Sequence, residues 1–146
     1  LDVHHGILIG KVKYNFRGTE IANRVWVEGD ATIHPSAQVV GPVVIGHGSV
    51  IERGARIIGP TVLGPGCHIG PEASIEGAVL WAENRIGEAV TLRNCVLGRG
   101  NEIGAKSHIV DGAIVGDDCR LGPENRLERG IRIWPGTVLG EKAISF

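Results

Sequence analysis

The histidines are the side chains best placed to do chemistry near neutral pH, and there are six: His4, His5, His34, His47, His68 and His108. An imidazole can act as a general base or hold zinc, and a zinc site needs three or four converging ligands. Apart from the neighbours His4 and His5, these residues are widely separated along the chain. The three cysteines, Cys67, Cys95 and Cys119, include no CxxC pair. That spacing excludes the common zinc and dithiol motifs and fits a reducing compartment. Whether any of these groups can meet depends on the elements that carry them.

Those elements are written with a period of six. Stepping by six from Val27 passes Ile33, Val39, Ile45, Ile51, Ile57, Leu63 and Ile69 to Ile75. A step of five reaches Leu80, then sixes give Ile86 and Leu92. A second step of five reaches Leu97, and sixes continue through Ile103, Ile109, Val115, Leu121, Leu127 and Ile133 to Leu139. All 20 stations are Ile, Leu or Val, although only 42 of the 146 residues are. Two positions before each station stands an uncharged, non-aromatic residue, from Val25 and Ala31 through Cys67, Asn84, Cys95, Asn101 and Cys119 to Thr137. Residues two apart face the same side of a strand. Each hexad therefore reads as a short strand with two inward side chains and one outward residue between them. The cysteines fall at inward positions and read as core filler. Asn84 and Asn101 read as an amide ladder on adjacent coils that helps to satisfy corner backbone groups.

Glycine marks the corners, following the station at Gly70, Gly87 and Gly104 and preceding the next strand at Gly48, Gly66 and Gly100. Strands this short, turning every six residues, cannot make useful hairpins; they wind as a solenoid whose coils hydrogen-bond to one another. Gly reaches 23 residues while Trp, Tyr and Phe number 3, 1 and 2. The formal charge is -1, so the chain lacks the basic excess that nucleic acid or an anionic membrane attracts. No apolar run reaches the ~20 residues of a membrane-spanning helix. The expectation is a cytoplasmic protein. The chain has no Met and opens on Leu1, so a piece of a longer protein is expected.

The pattern over residues 25–140 resembles the hexapeptide-repeat family of left-handed parallel β-helices, an all-β fold. The resemblance implies three sides per coil and about six and a half coils. Three sides sort the outward residues. Side two carries Thr32, Val50, His68, Arg85, Glu102, Arg120 and Val138. Side three carries Gln38, Arg56, Ser74, Thr91, His108 and Arg126. Side one carries Trp26, Val44, Val62, Val79, Val96, Ile114 and Arg132, all apolar but the last. With coils about 4.8 Å apart, side one bears an apolar stripe roughly 25 Å long. Such a stripe is expected to be an interface, rimmed by Trp81 and Trp134.

Enzymes of this fold include acyltransferases and zinc carbonic anhydrases. The latter resemblance would require three His at a trimer interface, and the helical histidines here are scattered. The former usually brings a catalytic His and a loop bulging between coils, and no insertion occurs from Val27 to Leu139. A smooth prism with solvated His and corner carboxylates (Glu52, Glu76, Glu128) is expected, with no catalytic, cofactor-binding or metal-binding residue.

Residues 1–24 break the period and read as a junction, and residues 141–146 as a tail. Ile7-Leu8-Ile9-Gly10, Val25-Trp26-Val27-Glu28-Gly29, Ile33-His34-Pro35-Ser36-Ala37, Val79-Leu80-Trp81 and Ile133-Trp134-Pro135-Gly136 resemble the C-terminal β-helix of bacterial sugar-phosphate nucleotidyltransferases. The mannose-1-phosphate guanylyltransferase and glucose-1-phosphate nucleotidyltransferase group is the most similar. Translation-initiation exchange-factor subunits share that architecture. The resemblance implies a non-catalytic domain that drives oligomerisation or regulates a catalytic domain, which would itself use Mg and a nucleoside triphosphate. The expected partners are a second copy of the chain, an N-terminal catalytic domain, or both. A free-standing acyltransferase or carbonic-anhydrase-like protein is the alternative.

Overall fold

The computed structural model describes residues 19–22, by backbone alone, and residues 25–144. It is a left-handed parallel β-helix with no helix among the described residues. Side one stacks β1 (Thr19–Ala22), β2 (Val25–Val27), β5 (Val43–Ile45), β8 (Thr61–Leu63), β11 (Val79–Leu80), β14 (Val96–Leu97), β17 (Ile114–Val115) and β20 (Arg132–Ile133). Side two stacks β3 (Ala31–Ile33), β6 (Ser49–Ile51), β9 (His68–Ile69), β12 (Arg85–Ile86), β15 (Glu102–Ile103), β18 (Arg120–Leu121) and β21 (Val138–Leu139). Side three stacks β4 (Gln38–Val40), β7 (Arg56–Ile58), β10 (Ser74–Glu76), β13 (Thr91–Arg93), β16 (His108–Ile109) and β19 (Arg126–Leu127).

Every pairing between coils is parallel, except that β1 runs antiparallel to β2 and adds a strand to the side-one sheet. β1 lies within the stretch read as a junction. The Leu1–Lys11 part of that reading lies outside the described residues. At the other end, the amide of Ile144 donates to Asn125 Oδ1 and its carbonyl accepts from the amide of Arg126. Part of the tail is thereby tucked under the last coil.

The period sets the core. Nineteen of the 20 stations are buried, and Leu139, in the last described strand, is half-buried. The small inward positions are buried from Val25 to Asn125. Both five-residue steps fall at the corner between sides three and one, where Glu76-Gly77 and Arg93-Asn94 make two-residue turns. Register is kept across them: Val62 pairs with Val79, and Val79 with Val96.

The asparagine ladder differs from a stack of amides. Asn84 Nδ2 donates to the carbonyls of Trp81 and Gly98, and its Oδ1 accepts from the amide of Asn101. Asn101 Oδ1 accepts from the amide of Cys119. Ser49 Oγ and Ser107 Oγ do the same for the amides of Cys67 and Asn125. These side chains tie each corner to the backbone of the next coil, where strands of two or three residues leave groups unpaired.

Candidate functional site

Side one assembles the apolar stripe. Trp26, Val44, Val62, Val79, Val96 and Ile114 are cross-strand partners in one unbroken ladder that ends at Arg132. The strand pleat turns them outward, because the residues on either side of each are the inward pair. Trp26 and Val44 are half-buried, whereas Val62, Val79, Val96 and Ile114 are 41%, 39%, 37% and 39% exposed. Trp81 and Trp134 stand exposed at the corner between sides one and two, three coils apart. Val40 and Ile58 add apolar surface at the opposite corner, near the N-terminal coils. The sequence hid them because they follow the stations Val39 and Ile57, at corners occupied by charged Glu76, Arg93 and Glu128 in other coils.

Side two holds the groups best suited to chemistry, and here the prism is not smooth. An open groove of about 470 Å³ runs along the corner between sides two and three. Glu52, His68, Arg85 and Glu102 line one wall, Pro71, Glu88 and Pro123 the other, and Gly70, Gly87, Gly104 and Gly122 the floor. Those glycines are required by coil stacking: a Cβ on Gly70 would lie 2.7 Å from the carbonyl oxygen of Ile86. The groove is the gap left where no side chain fits.

His68 and Glu52 were expected as separate solvated groups, yet His68 Nε2 lies 2.5 Å from Glu52 Oε2. Both side chains are about half covered. The parallel ladder explains the meeting: Val50 pairs with His68, which sets Glu52, two residues on, at the next corner. With Nε2 held by the carboxylate, Nδ1 is the atom through which His68 could take a proton from a bound molecule. Glu128 is also more covered than expected, between Arg126 Nη2 and Arg129 Nε at 3.7 Å each.

His34 Nδ1 lies 2.9 Å from Ser36 Oγ, a local turn contact, and His108 is exposed on side three. Among the described residues, no three His, Cys, Asp or Glu side chains gather as a metal site. His4 and His5 lie outside them. The three cysteines are buried and free. Burial raises the Cys67 thiol above its usual range and pushes Cys95 up to about 12. Neither is a thiolate at neutral pH, so neither serves as a nucleophile. Among the described residues no helix is long and apolar enough to cross a membrane.

The family model described as the EIF2B subunit epsilon LbH domain matches residues 22–127. The carnitine operon protein CaiE of Proteus sp. (strain LE138) is 31% identical over 132 residues, covering 73% of this chain and 58% of that protein. The bifunctional protein GlmU of Alkalilimnicola ehrlichii is 39% identical over 75 residues, covering 51% of this chain and 16% of that protein. A mutant perosamine N-acetyltransferase from Caulobacter crescentus, solved with CoA and GDP-perosamine, superposes with a TM-score of 0.50 at 25% identity. That match covers 75% of this chain and 50% of the acetyltransferase. The chain thus spans little more than half of the CaiE relative and half of the acetyltransferase.

Proposed function

The chain belongs to the EIF2B subunit epsilon LbH domain family of hexapeptide-repeat β-helices, and from that premise we propose that it is the non-catalytic β-helix domain of a sugar-phosphate nucleotidyltransferase. It acts in oligomerisation or in regulation of the catalytic domain, through side one. The observation that carries this reading is the uninterrupted ladder from Trp26 to Ile114. β-branched residues suit any strand, but sides two and three carry mostly polar residues at the equivalent positions. An apolar stripe confined to one side needs a covering partner. The GlmU match, confined to 16% of a much longer chain, fits a module carried by a larger enzyme. Mg and the nucleoside triphosphate would belong to the catalytic domain.

A second reading rests on the His68–Glu52 pair in the side-two groove and on the likeness to the perosamine N-acetyltransferase. In it the chain takes part in acyl transfer, with Glu52 orienting His68 as the base that takes the proton of the attacking amine or hydroxyl.

One pair of assays on the full-length protein that carries this chain decides between them. Pyrophosphate release from a nucleoside triphosphate and a sugar 1-phosphate is expected, unchanged in His68→Ala and altered by Val79→Asp with Val96→Asp. If instead thiol release from acetyl-CoA is seen, and falls about 100-fold or more in His68→Ala, the nucleotidyltransferase reading is overturned.

A further inference from the structure

We propose that side one is the interface between two copies of this chain, packed face to face with antiparallel solenoid axes and a two-fold axis lying between β11 and β14. The proposal rests on the reading of side one as an interaction surface and deepens it by naming the occupant and its orientation.

The exposure of the stripe gives the centre. Val62, Val79, Val96 and Ile114 are the four open rungs, at 37–41% exposure, and their midpoint lies between Val79 and Val96. A two-fold axis along the strands at that point sets Val79 against the partner's Val96 and Val62 against the partner's Ile114. Strands of the two sheets stay aligned, as packed sheets require.

The rim charges give the direction. At the corner between sides three and one, Glu76 and Arg93 occupy the two central coils, and both are exposed. At the opposite corner the same coils carry Glu83 and Arg99, whose side chains come within 3.8 Å of each other. Antiparallel packing brings each corner onto its own copy with the coil order reversed. Glu76 then faces the partner's Arg93, and Glu83 faces the partner's Arg99. Both central corners become alternating four-charge clusters. Parallel packing instead sets each corner against the partner's opposite corner at the same level. That arrangement opposes Glu76 to Glu83, Arg93 to Arg99 and, one coil on, Asp111 to Asp117. Like charges face each other at three consecutive levels, which an interface avoids.

Area makes the charges decisive. Six coils at ~4.8 Å and about five residues at ~3.3 Å give a face of roughly 30 Å by 16 Å. Specific, stable interfaces bury about 600–1,000 Å² per partner, so this face, about 480 Å², falls short of that range and belongs with weak, transient contacts. The stripe supplies attraction that is nearly independent of register, and the corner charges select one orientation. The dimer should therefore dissociate on dilution and weaken in high salt.

The test is the mass in solution of the chain and its variants, by light scattering and sedimentation. The chain itself should dimerise. Glu76→Arg alone puts four cations at one corner of the interface, and Arg93→Glu alone puts four carboxylates there. Each should shift the dissociation constant upward at least tenfold, about 1.4 kcal/mol. A one-to-one mixture of the two variants should recover the dimer, because the new cation at position 76 meets the new carboxylate at position 93. That recovery cannot come from repair of folding, since within each chain these neighbours now carry like charge. A dimer strengthened by Glu76→Arg overturns the antiparallel arrangement in favour of the parallel one and leaves side one as the interface. A dimer indifferent to Val79→Asp with Val96→Asp overturns both the arrangement and the use of side one. A chain monomeric at hundreds of micromolar overturns self-pairing, while the nucleotidyl-transfer assay still decides the wider reading.

Discussion

At the scale of single residues, burial has turned reactive side chains into packing. Cys95 lies against the side-one corner, where loss of water around a thiolate outweighs its one helping backbone contact and raises its pKa to about 12. Unfolded, the same thiol titrates near 9. Between these values the unfolded chain loses a proton that the folded chain keeps. The stabilising contribution is therefore complete below pH about 9 and lost as pH rises toward about 12. Urea unfolding from pH about 8 to about 11 should show the wild-type midpoint falling more steeply than that of Cys95→Ala. Asn101 shows the opposite economy: its Oδ1 caps the Cys119 amide, yet its buried Nδ2 finds no partner among the described residues. The sequence located both residues on the inward face. Which amide Asn101 caps depends on the next coil, 18 residues later.

At the scale of the element, the corner is the unit that decides stability. Among the described residues, ten other than glycine adopt left-handed backbone at corners, including Ala89 (φ 57), Lys106 (φ 63) and Arg129 (φ 59). Glycine alone was an incomplete marker, because the strands on either side impose the conformation whatever residue stands there. The glycine column on the groove floor answers to a different constraint. A Cβ on Gly87 would lie 2.8 Å from the carbonyl oxygen of Ile103, whereas one on Gly140, after the last strand of the same column, would meet nothing within 4 Å. Gly87→Ala should cost about 2 kcal/mol or more and Gly140→Ala less than about 0.5 kcal/mol, as measured by chemical denaturation. A similar loss at both sites would place the cost in the chain's conformational freedom rather than in coil stacking.

At the scale of the whole molecule, the solenoid converts a one-dimensional pattern into three surfaces that run its length. Each outward position recurs about every 18 residues and stands directly over its equivalent, so a preference repeated in sequence becomes a continuous stripe. Side one gathers its apolar residues this way, and the central corner charges give the stripe a direction. Because the proposed dimer buries less area than stable, specific interfaces do, its population should track protein concentration. Sedimentation over a hundredfold dilution should move the average mass from twice the chain's 15.4 kDa toward the single value.

The sequence by itself determined the fold, the inward pair of every hexad and the membership of the side-one stripe. It could do so because each strand repeats the same alternation of faces, and phase is carried through two five-residue steps without loss. Tertiary structure decided what the period does not encode. It brought Glu52 onto His68 through the pairing of adjacent coils, and it opened a groove where stacking forbids side chains. It exposed Val40, left Ile58 half-buried beside the stripe and showed which four rungs stand out from it. These depend on how far one coil sits from the next and on where a corner projects, distances set by packing rather than by residue type.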